Sequence, residues 1–333
     1  MPIPYMGSKS KISEKLMNEI TLNNQQADTF IDLFGGGGAM SEEALKRPQF
    51  KRVVYNELNA GVANLMRKIQ ADGITPEFYE WVSREEFHAM KNGDCWRAGL
   101  IKTCWSFGNN QSCYLYGEDV EAYKKAYHQL VIDGTDTRDF MQRYAEQHVL
   151  EKYGISQACV INMPTNFEIQ KRRLEVRKAL TVFEKQCKQN NFRVLQQLQH
   201  LESLQRLQQL ERLQQLERLQ QLERLQQLEH LKRLQNLNRL EVFNKSAFDF
   251  ELSAYDKDKT IIYLDPPYTG TAEYQNKMQA NLDCFASLGF NVYLSEYKNP
   301  NPDLWEEVFC VGKLVTLGKN TINKKIERLF TNK

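Results

Sequence analysis

Residues 28–47 carry the pattern that most restricts the fold of this chain. The short apolar run DTFIDLF leads straight into Gly35, Gly36, Gly37 and Gly38, and the helix-forming run AMSEEALKR follows. A strand, a glycine turn and a helix, in that order, form the first βα unit of a doubly wound sheet. Glycines let a ligand approach the backbone at the N-terminus of the helix. The pattern therefore predicts an α/β fold with a ligand site at this turn.

The same turn does not match the common nucleotide-binding fingerprints. A dinucleotide fingerprint requires GxGxxG, but after Gly35 and Gly37 the sixth position is Met40, and the sequence contains no GxxxxGK phosphate loop. The next predicted strand, RVVYNE, ends at Glu57. A carboxylate at the tip of the second strand is placed to hold two ribose hydroxyls. A solvated loop acid is the alternative for Glu57.

The tetrapeptide Asp265-Pro266-Pro267-Tyr268 follows a predicted strand, TIIYL. Open α/β sheets bind ligands at the carboxyl ends of their strands. The prolines have no N–H, so the loop backbone offers carbonyl acceptors, to which Asp265 adds a carboxylate. These groups suit the exocyclic amino group of a planar base, which would donate to Asp265 and the Pro266 carbonyl while Tyr268 stacks on the ring. A proline turn without chemical significance is the alternative.

Charge and composition exclude several classes of protein. Lys and Arg total 44 against 42 acidic residues, a net charge of +2, which argues against nucleic-acid binding by bulk charge. Mean hydropathy is -0.60, and no apolar run approaches the ~18 residues of a membrane helix, so we expect a cytoplasmic protein. The seven cysteines include no CxxC pair and no nearby His at a ligand spacing, which predicts that the protein binds no metal.

A leucine occurs at every third position from Leu195 to Leu240, sixteen in all, largely in the unit Leu-Gln-Gln-Leu-Glu-Arg. These residues favour a helix, but a step of three advances ~300° around it, so the leucines would circle the helix instead of forming one stripe. A solenoid of stacked coils would bury the leucines, although Gln, Glu and Arg are poor strand formers. Both shapes stay open. Two roles also stay open for 195–241: a low-complexity spacer, or a module for partner binding or self-association.

Five segments follow one another along the chain: PYMGSK at 4–9, DLFGGGG at 32–38, NELN at 56–59, DPPYTGTAEY at 265–274 and VYLSEY at 292–297. This order resembles the alpha group of N6-adenine DNA methyltransferases, and the chain is similar to the Dam-like methylases of bacteria and phages. The resemblance covers roughly residues 1–65 and 242–333. Between these ranges it is poor, apart from SFGNN at 106–110.

The resemblance implies a site for S-adenosylmethionine beside a site for the target adenine. In 244–250 the sequence NKSAFDF departs from the acidic residue and aromatic of the family, so Ser246, Phe248 and Asp249 all stay open as contacts of the cofactor adenine, and we select Phe248. The implied cofactor-site residues are Tyr5, Lys9, Phe34, Gly35, Gly36, Gly37, Glu57, Phe248 and Asp265. The implied target-adenine residues are Asp265, Pro266, Pro267 and Tyr268.

The resemblance also sets the predicted organisation. We expect a mostly parallel, Rossmann-like seven-stranded sheet, closed by an antiparallel pair from CVGKLVTLG and KIERLFTN. The predicted parts are a catalytic domain at 1–65 and 242–333, a largely helical target-recognition domain at 66–194, and the leucine-rich repeat insertion at 195–241. Candidate DNA contacts are Asn109 and Asn110, which are also ordinary turn residues, and Lys171, Arg172 and Arg173, which also suit a solvated helix face.

Together these features predict a site-specific DNA adenine N6-methyltransferase that acts on an adenine flipped out of duplex DNA. The transfer would be a direct in-line displacement without a metal or a covalent enzyme intermediate, so catalysis would depend on positioning and electrostatics. Two alternatives remain: methylation of an adenine in RNA, and an interaction module built on the leucine repeat with residual catalytic motifs.

Overall fold

The structure is a computed structural model that describes residues 3–107, 110–135, 174, 237–266, 282–317 and 321–332. Among the described helices, none combines the length and the hydropathy that crossing a bilayer requires. Several predicted features lie outside the described residues: Asn109, Lys171, Arg172, Arg173, Pro267, Tyr268 and the leucine repeat as far as residue 236.

The described strands form one mixed seven-stranded sheet. They are β1 Thr29–Asp32, β2 Arg52–Asn56, β3 Leu240–Phe243, β4 Thr260–Leu264, β5 Asn291–Glu296, β6 Trp305–Leu317 and β7 Thr321–Asn332. Their order across the sheet is β3-β2-β1-β4-β5-β7-β6. The first five strands pair in parallel, and β7 pairs antiparallel with both β5 and β6. The predicted mostly parallel sheet and its closing antiparallel pair are therefore confirmed.

Burial explains why the central strands were recognisable in the sequence. All four residues of β1 and all five of β4 are buried. A parallel strand covered on both faces needs apolar side chains on both, so it has a continuous apolar run. Phe30 and Tyr263 pack into the core on one face of the sheet, and Ile31 and Ile262 pack into the core on the other.

Helices connect and flank these strands. They are α1 Ser13–Leu22, α2 Ala39–Lys46, α3 Ala60–Asp72, α4 Arg84–Met90, α5 Trp96–Cys104 and α6 Glu118–His128. The helix α2 follows the glycine turn after β1, as the sequence predicted. Short 3₁₀ helices lie at Pro76–Tyr79 and Ala247–Asp249, and a π-helix lies at Gln129–Asp133.

The described residues belong to two compact units. The first lies within 1–75, 84–113 and 236–333, and the second lies within 76–83 and 114–235. Residues 84–113, which fall in the predicted recognition range, thus belong to the first unit. One cause is the close approach of α3 and α5, where a Cβ added to Gly99 would lie 2.1 Å from the carbonyl oxygen of Gly61.

Aromatic side chains hold the described part of the second unit together. The rings of Trp81 and Tyr116 stack with centroids 5.7 Å apart. The hydroxyl of Tyr114 donates to the carbonyl of Val82 at 2.7 Å. Tyr123 and Tyr127, on α6, are buried.

The end of the leucine series is part of the sheet. The strand β3 begins at Leu240, which is buried, and Leu237 packs against the same core. The Arg239 guanidinium donates to the carbonyl of Leu45 in the last turn of α2 and to those of Arg47 and Phe50 after the helix. Leu240 and Glu241, which the sequence boundaries place in the insertion, therefore belong to the sheet, because they pair with Val53 and Val54 of β2.

Candidate active site

Four carboxylates lie at the carboxyl ends of four neighbouring parallel strands. Asp32 ends β1, Glu57 follows β2, Asp265 follows β4 and Glu296 ends β5. Parallel strands bring their carboxyl ends to the same edge of a sheet, which is where ligands of such sheets bind. The sequence predicted Glu57 and Asp265 as site residues. It did not single out Asp32 or Glu296.

Lys9 joins Asp265 to a second carboxylate in the interior. Its Nζ lies 2.7 Å from Oδ1 of Asp265 and 3.3 Å from Oε1 of Glu327 on β7. The side chains of Lys9 and Glu327 are 2% and 0% exposed, whereas that of Asp265 is 19% exposed. Burial lowers the pKa of Lys9, but the charges of Asp265 and Glu327 outweigh it and raise the pKa above its usual value. Lys9 is therefore a buried cation between two carboxylates.

Glu57 is bound to the backbone on both sides of its carboxylate. Oε2 accepts from the amide of Gly36, and Oε1 accepts from the amide of Asn59, each at 2.8 Å. Asn59 also caps α3 by accepting from the amide of Val62. Glu57 is 7% exposed, and burial raises its pKa despite these bonds. The alternative of a solvated loop acid is therefore wrong.

The glycines of the turn are close to other parts of the chain. A Cβ added to Gly37 would lie 2.3 Å from the carbonyl oxygen of Ile3. The amide of Ile3 donates to the Gly37 carbonyl at 2.8 Å, and the hydroxyl of Tyr55 donates to the Gly36 carbonyl at 2.7 Å. The turn therefore needs glycine partly to admit the N-terminal segment, a constraint that the sequence pattern did not indicate.

Tyr5 lies between the glycine turn and Glu57. A Cβ added to Gly36 would lie 3.1 Å from its ring, and its hydroxyl hydrogen-bonds with the side chains of Glu57 and Gln111. Burial, followed by the charge of Glu57, raises the pKa of Tyr5 to about 12. Gln111 adopts a φ of 62°, which is unusual for a residue with a side chain. The hydrogen bond of its side chain with Tyr5 is a contact that its sequence neighbourhood did not reveal.

Asp32 and Glu296 are acids with raised affinity for a proton. Burial is the main cause in both, and each pKa rises to about 7. The hydroxyl of Ser41 donates to Oδ2 of Asp32 at 2.8 Å, which partly opposes the rise. The charge of Asp265 raises both pKa values further.

An aromatic pair borders the turn. The rings of Phe34 and Phe248 meet edge to face at 6.1 Å, and Phe248 is 39% exposed. The hydroxyl of Ser246 accepts from the amide of Phe248, so it caps the short 3₁₀ helix. Asn56 holds this segment beside β2, because its side chain bonds with the backbone of Lys245 in both directions. Of the three open contacts for a cofactor adenine, Phe248 thus has an exposed flat surface near Phe34.

The predicted DNA contacts are only partly described. The Oδ1 of Asn110 accepts from the amides of Ser112 and Cys113 at 2.9 and 3.0 Å, which is a turn-forming arrangement. Among the described residues, no group of three or more His, Cys, Asp or Glu side chains is arranged to hold a metal ion.

The mixed seven-stranded sheet, with its acidic edge and glycine turn, defines the class: an α/β protein of the methyltransferase type. The sequence model of the D12 class N6 adenine-specific DNA methyltransferases matches residues 5–203, more than half of the 333 residues. The chain belongs to this family. No curated protein matches it.

The family match defines the activity. Its members are methyltransferases specific for adenine N6 in DNA, and methyltransferases of this kind generally use S-adenosylmethionine. The predicted activity, a DNA adenine N6-methyltransferase, is therefore confirmed. The match includes the middle of the chain, where the resemblance from the sequence motifs was poor, and it ends before Asp265.

Proposed function

We propose that this chain binds S-adenosylmethionine at the acidic edge of the sheet and methylates a flipped adenine in duplex DNA, with Asp265 and Pro266 holding the amino group. One observation carries the proposal: Asp265 follows β4 at the same edge as Glu57, and Lys9 holds its carboxylate at 2.7 Å. The Lys9 ammonium favours the ionised carboxylate, which acts as an acceptor alone.

The residues at this edge fit the proposed cofactor. When bound, S-adenosylmethionine supplies a methyl group that its sulfonium charge makes electrophilic. Carboxyl groups outnumber ammonium groups among the described residues here, since Asp32, Glu57, Asp265 and Glu296 lie near Lys9 and Lys102. Burial raises the pKa values of Asp32, Glu57 and Glu296, and a cationic ligand would favour their ionised forms.

Different residues would contact different parts of the proposed cofactor. Glu57, fixed by two amides, would accept from the ribose hydroxyls. Phe34 and Phe248 would contact the cofactor adenine through their rings. The surface between Glu57 and the two rings would consist of Tyr5, Gly35, Gly36 and Gly37. Tyr5 is hydrogen-bonded to Glu57.

The chain's own groups would prepare the amino group for transfer. The Asp265 carboxylate and the Pro266 carbonyl would accept both N–H bonds of adenine N6, which favours a tetrahedral nitrogen with an available lone pair. Pro267 would stiffen the loop, and Tyr268 would stack on the base. As nitrogen gains the methyl group it releases one proton, which the Asp265 carboxylate would accept.

Access to adenine N6 requires the base to leave the duplex, at a cost of roughly a few kcal/mol that stacking and phosphate contacts offset. We propose Asn109, Asn110, Lys171, Arg172 and Arg173 as DNA contacts within a recognition domain at 66–194. For the leucine repeat before β3 we propose self-association or partner binding, and a spacer is the alternative.

The test compares Asp265→Ala with Asp258→Ala, which removes an exposed acid before β4. Labelled methyl transfer from S-adenosylmethionine to duplex DNA measures activity, and calorimetry measures cofactor binding. We expect Asp265→Ala to lose methylation by at least about 100-fold, while cofactor binding stays measurable. Asp258→Ala should match the wild type. Near wild-type methylation by Asp265→Ala would overturn the proposed site.

The same assay separates nucleic acids. The family match favours DNA, so duplex DNA should accept the labelled methyl group and a matched RNA duplex should not. Transfer to RNA in preference to DNA would support the alternative substrate.

A further inference from the structure

Glu327 occupies a position on β7 that packing alone would give to an apolar residue. It lies on the same face of the strand as Leu329, which belongs to the hydrophobic core, and it is 0% exposed. Its partner across the sheet is Val311 on β6, whereas Ser295 on β5 pairs with Leu329, two residues further along β7. Burying a carboxylate costs free energy unless charges and hydrogen bonds compensate it.

The compensation comes from residues at the proposed active site. The hydroxyl of Ser295 donates to Oε1 of Glu327 at 3.1 Å, and Nζ of Lys9 lies 3.3 Å from the same oxygen. That ammonium also contacts Oδ1 of Asp265 at 2.7 Å. One buried cation thus bridges a strand of the closing antiparallel pair and the loop after β4.

A buried pair of this kind is weak evidence for stability, since apolar residues of similar volume often fold as well or better. The pair does, however, restrict the flexible side chain of Lys9. Lysine carries its charge on a four-carbon stem with many rotamers, and a second carboxylate limits where the ammonium can lie. The position of Asp265, which the Lys9 ammonium holds, then depends on Glu327.

We propose that Glu327 is a positioning residue for methyl transfer: through Lys9 it fixes the carboxylate of Asp265 against the amino group of the target adenine. This role rests on the proposed function of Asp265. Glu327 itself does not touch the substrate, so it should affect the rate of the chemical step more than the binding of either substrate.

The test uses Glu327→Gln, which preserves the size of the side chain and an acceptor for Ser295 but removes the charge that holds Lys9. We expect kcat to fall by about 100-fold, the scale at which misplacement of about 1 Å acts. The Kd of S-adenosylmethionine should change by less than about 3-fold, because the lost interaction would act in the transition state. Glu306→Gln, which alters an exposed acid on the neighbouring β6, should match the wild type.

Two further measurements separate positioning from a structural role. In a Lys9→Met background, Glu327→Gln should reduce kcat by less than about 3-fold, because the two residues act as one unit. Glu327→Asp keeps the charge but shortens the side chain, so its kcat should lie between those of the wild type and Glu327→Gln.

Three results would overturn the proposal. The first is a kcat for Glu327→Gln near that of the wild type. The second is a kcat for the double variant Lys9→Met with Glu327→Gln that falls by the product of the two single losses. The third is a kcat for Glu327→Asp at or below that of Glu327→Gln. If Glu327→Gln does not fold, two other results decide: the kcat of Glu327→Asp, which should be below that of the wild type, and the stability of the double variant Lys9→Met with Glu327→Leu. The double variant should fold, and its failure to fold would assign Glu327 to stability.

Asp265→Ala is measured alongside. Full activity of Asp265→Ala would refute the proposed function, whereas loss of its activity with an active Glu327→Gln would refute the positioning role alone.

Discussion

The substitution Glu57→Gln tests the proposed ribose contact. A glutamine has one acceptor oxygen, so it can satisfy the amide of Gly36 or the amide of Asn59, but not both. The other amide would face an NH₂ donor in a site where Glu57 is 7% exposed. Leaving a buried donor without an acceptor costs about 1–3 kcal/mol, so the free energy of unfolding should fall by that amount.

The same change should weaken cofactor binding. A hydrogen bond to a charged group contributes about 2 kcal/mol. Loss of one such bond from a ribose hydroxyl corresponds to an increase of about 30-fold in the Kd of S-adenosylmethionine.

Calorimetry at a temperature well below unfolding measures that Kd, and thermal melting measures stability separately. Glu14→Gln, which changes an exposed acid on α1, is the control and should alter neither quantity. A Kd for Glu57→Gln within about 2-fold of the wild type would refute the ribose contact. Destabilisation without loss of affinity would leave Glu57 a structural acid that holds the turn.

Three further changes test other parts of the structure. Burial raises the pKa of Asp32 from 3.8 to about 7, so Asp32 holds a proton more tightly in the folded protein than in the unfolded chain. The free energy of unfolding should therefore decrease as pH rises from about 4 to 7. Asp32→Asn should flatten this pH dependence in urea titrations, and an unchanged slope would contradict the assignment. Gly99→Ala should lower the free energy of unfolding by about 1–3 kcal/mol in thermal or urea melts, because the added Cβ would meet the Gly61 carbonyl. Gly93→Ala, whose added Cβ would have no contact under 3.3 Å, should lower it less. Deleting 207–224 removes three copies of the repeat unit and leaves Leu237 and Arg239 in place. Methylation should persist if the repeat is a spacer. If the repeat mediates self-association, light scattering should show that the mass of the assembly falls.

The central strands were predictable because their packing leaves a local trace. Parallel strands covered on both faces are continuous apolar runs, and here each stops at a polar or glycine-rich turn: the glycines after β1, Glu57 after β2 and Asp265 after β4. The motifs at these turns therefore mark one edge of the sheet in the sequence itself.

Contacts distant in sequence left no such trace. The approach of Gly99 to Gly61 joins residues 84–113 to the first unit, and neither glycine belongs to a motif. Leu240 continues the leucine series, so its place in β3 was hidden by the repeat.

The site acids differ in the same way. Glu327 lies 62 residues after Asp265, and only the pairing of β7 with β5 brings it to Lys9. Asp32 did offer a signal, since an acid inside a fully buried apolar strand needs a compensating partner or function.

The most direct test expresses the chain in cells without adenine methylation and sequences their DNA with detection of modified bases. Cells with the wild-type chain should contain N6-methyladenine within one short recognition sequence, and cells with Asp265→Ala should contain none. No N6-methyladenine in the wild-type cells, or the same methylated sites with Asp265→Ala, would contradict the account.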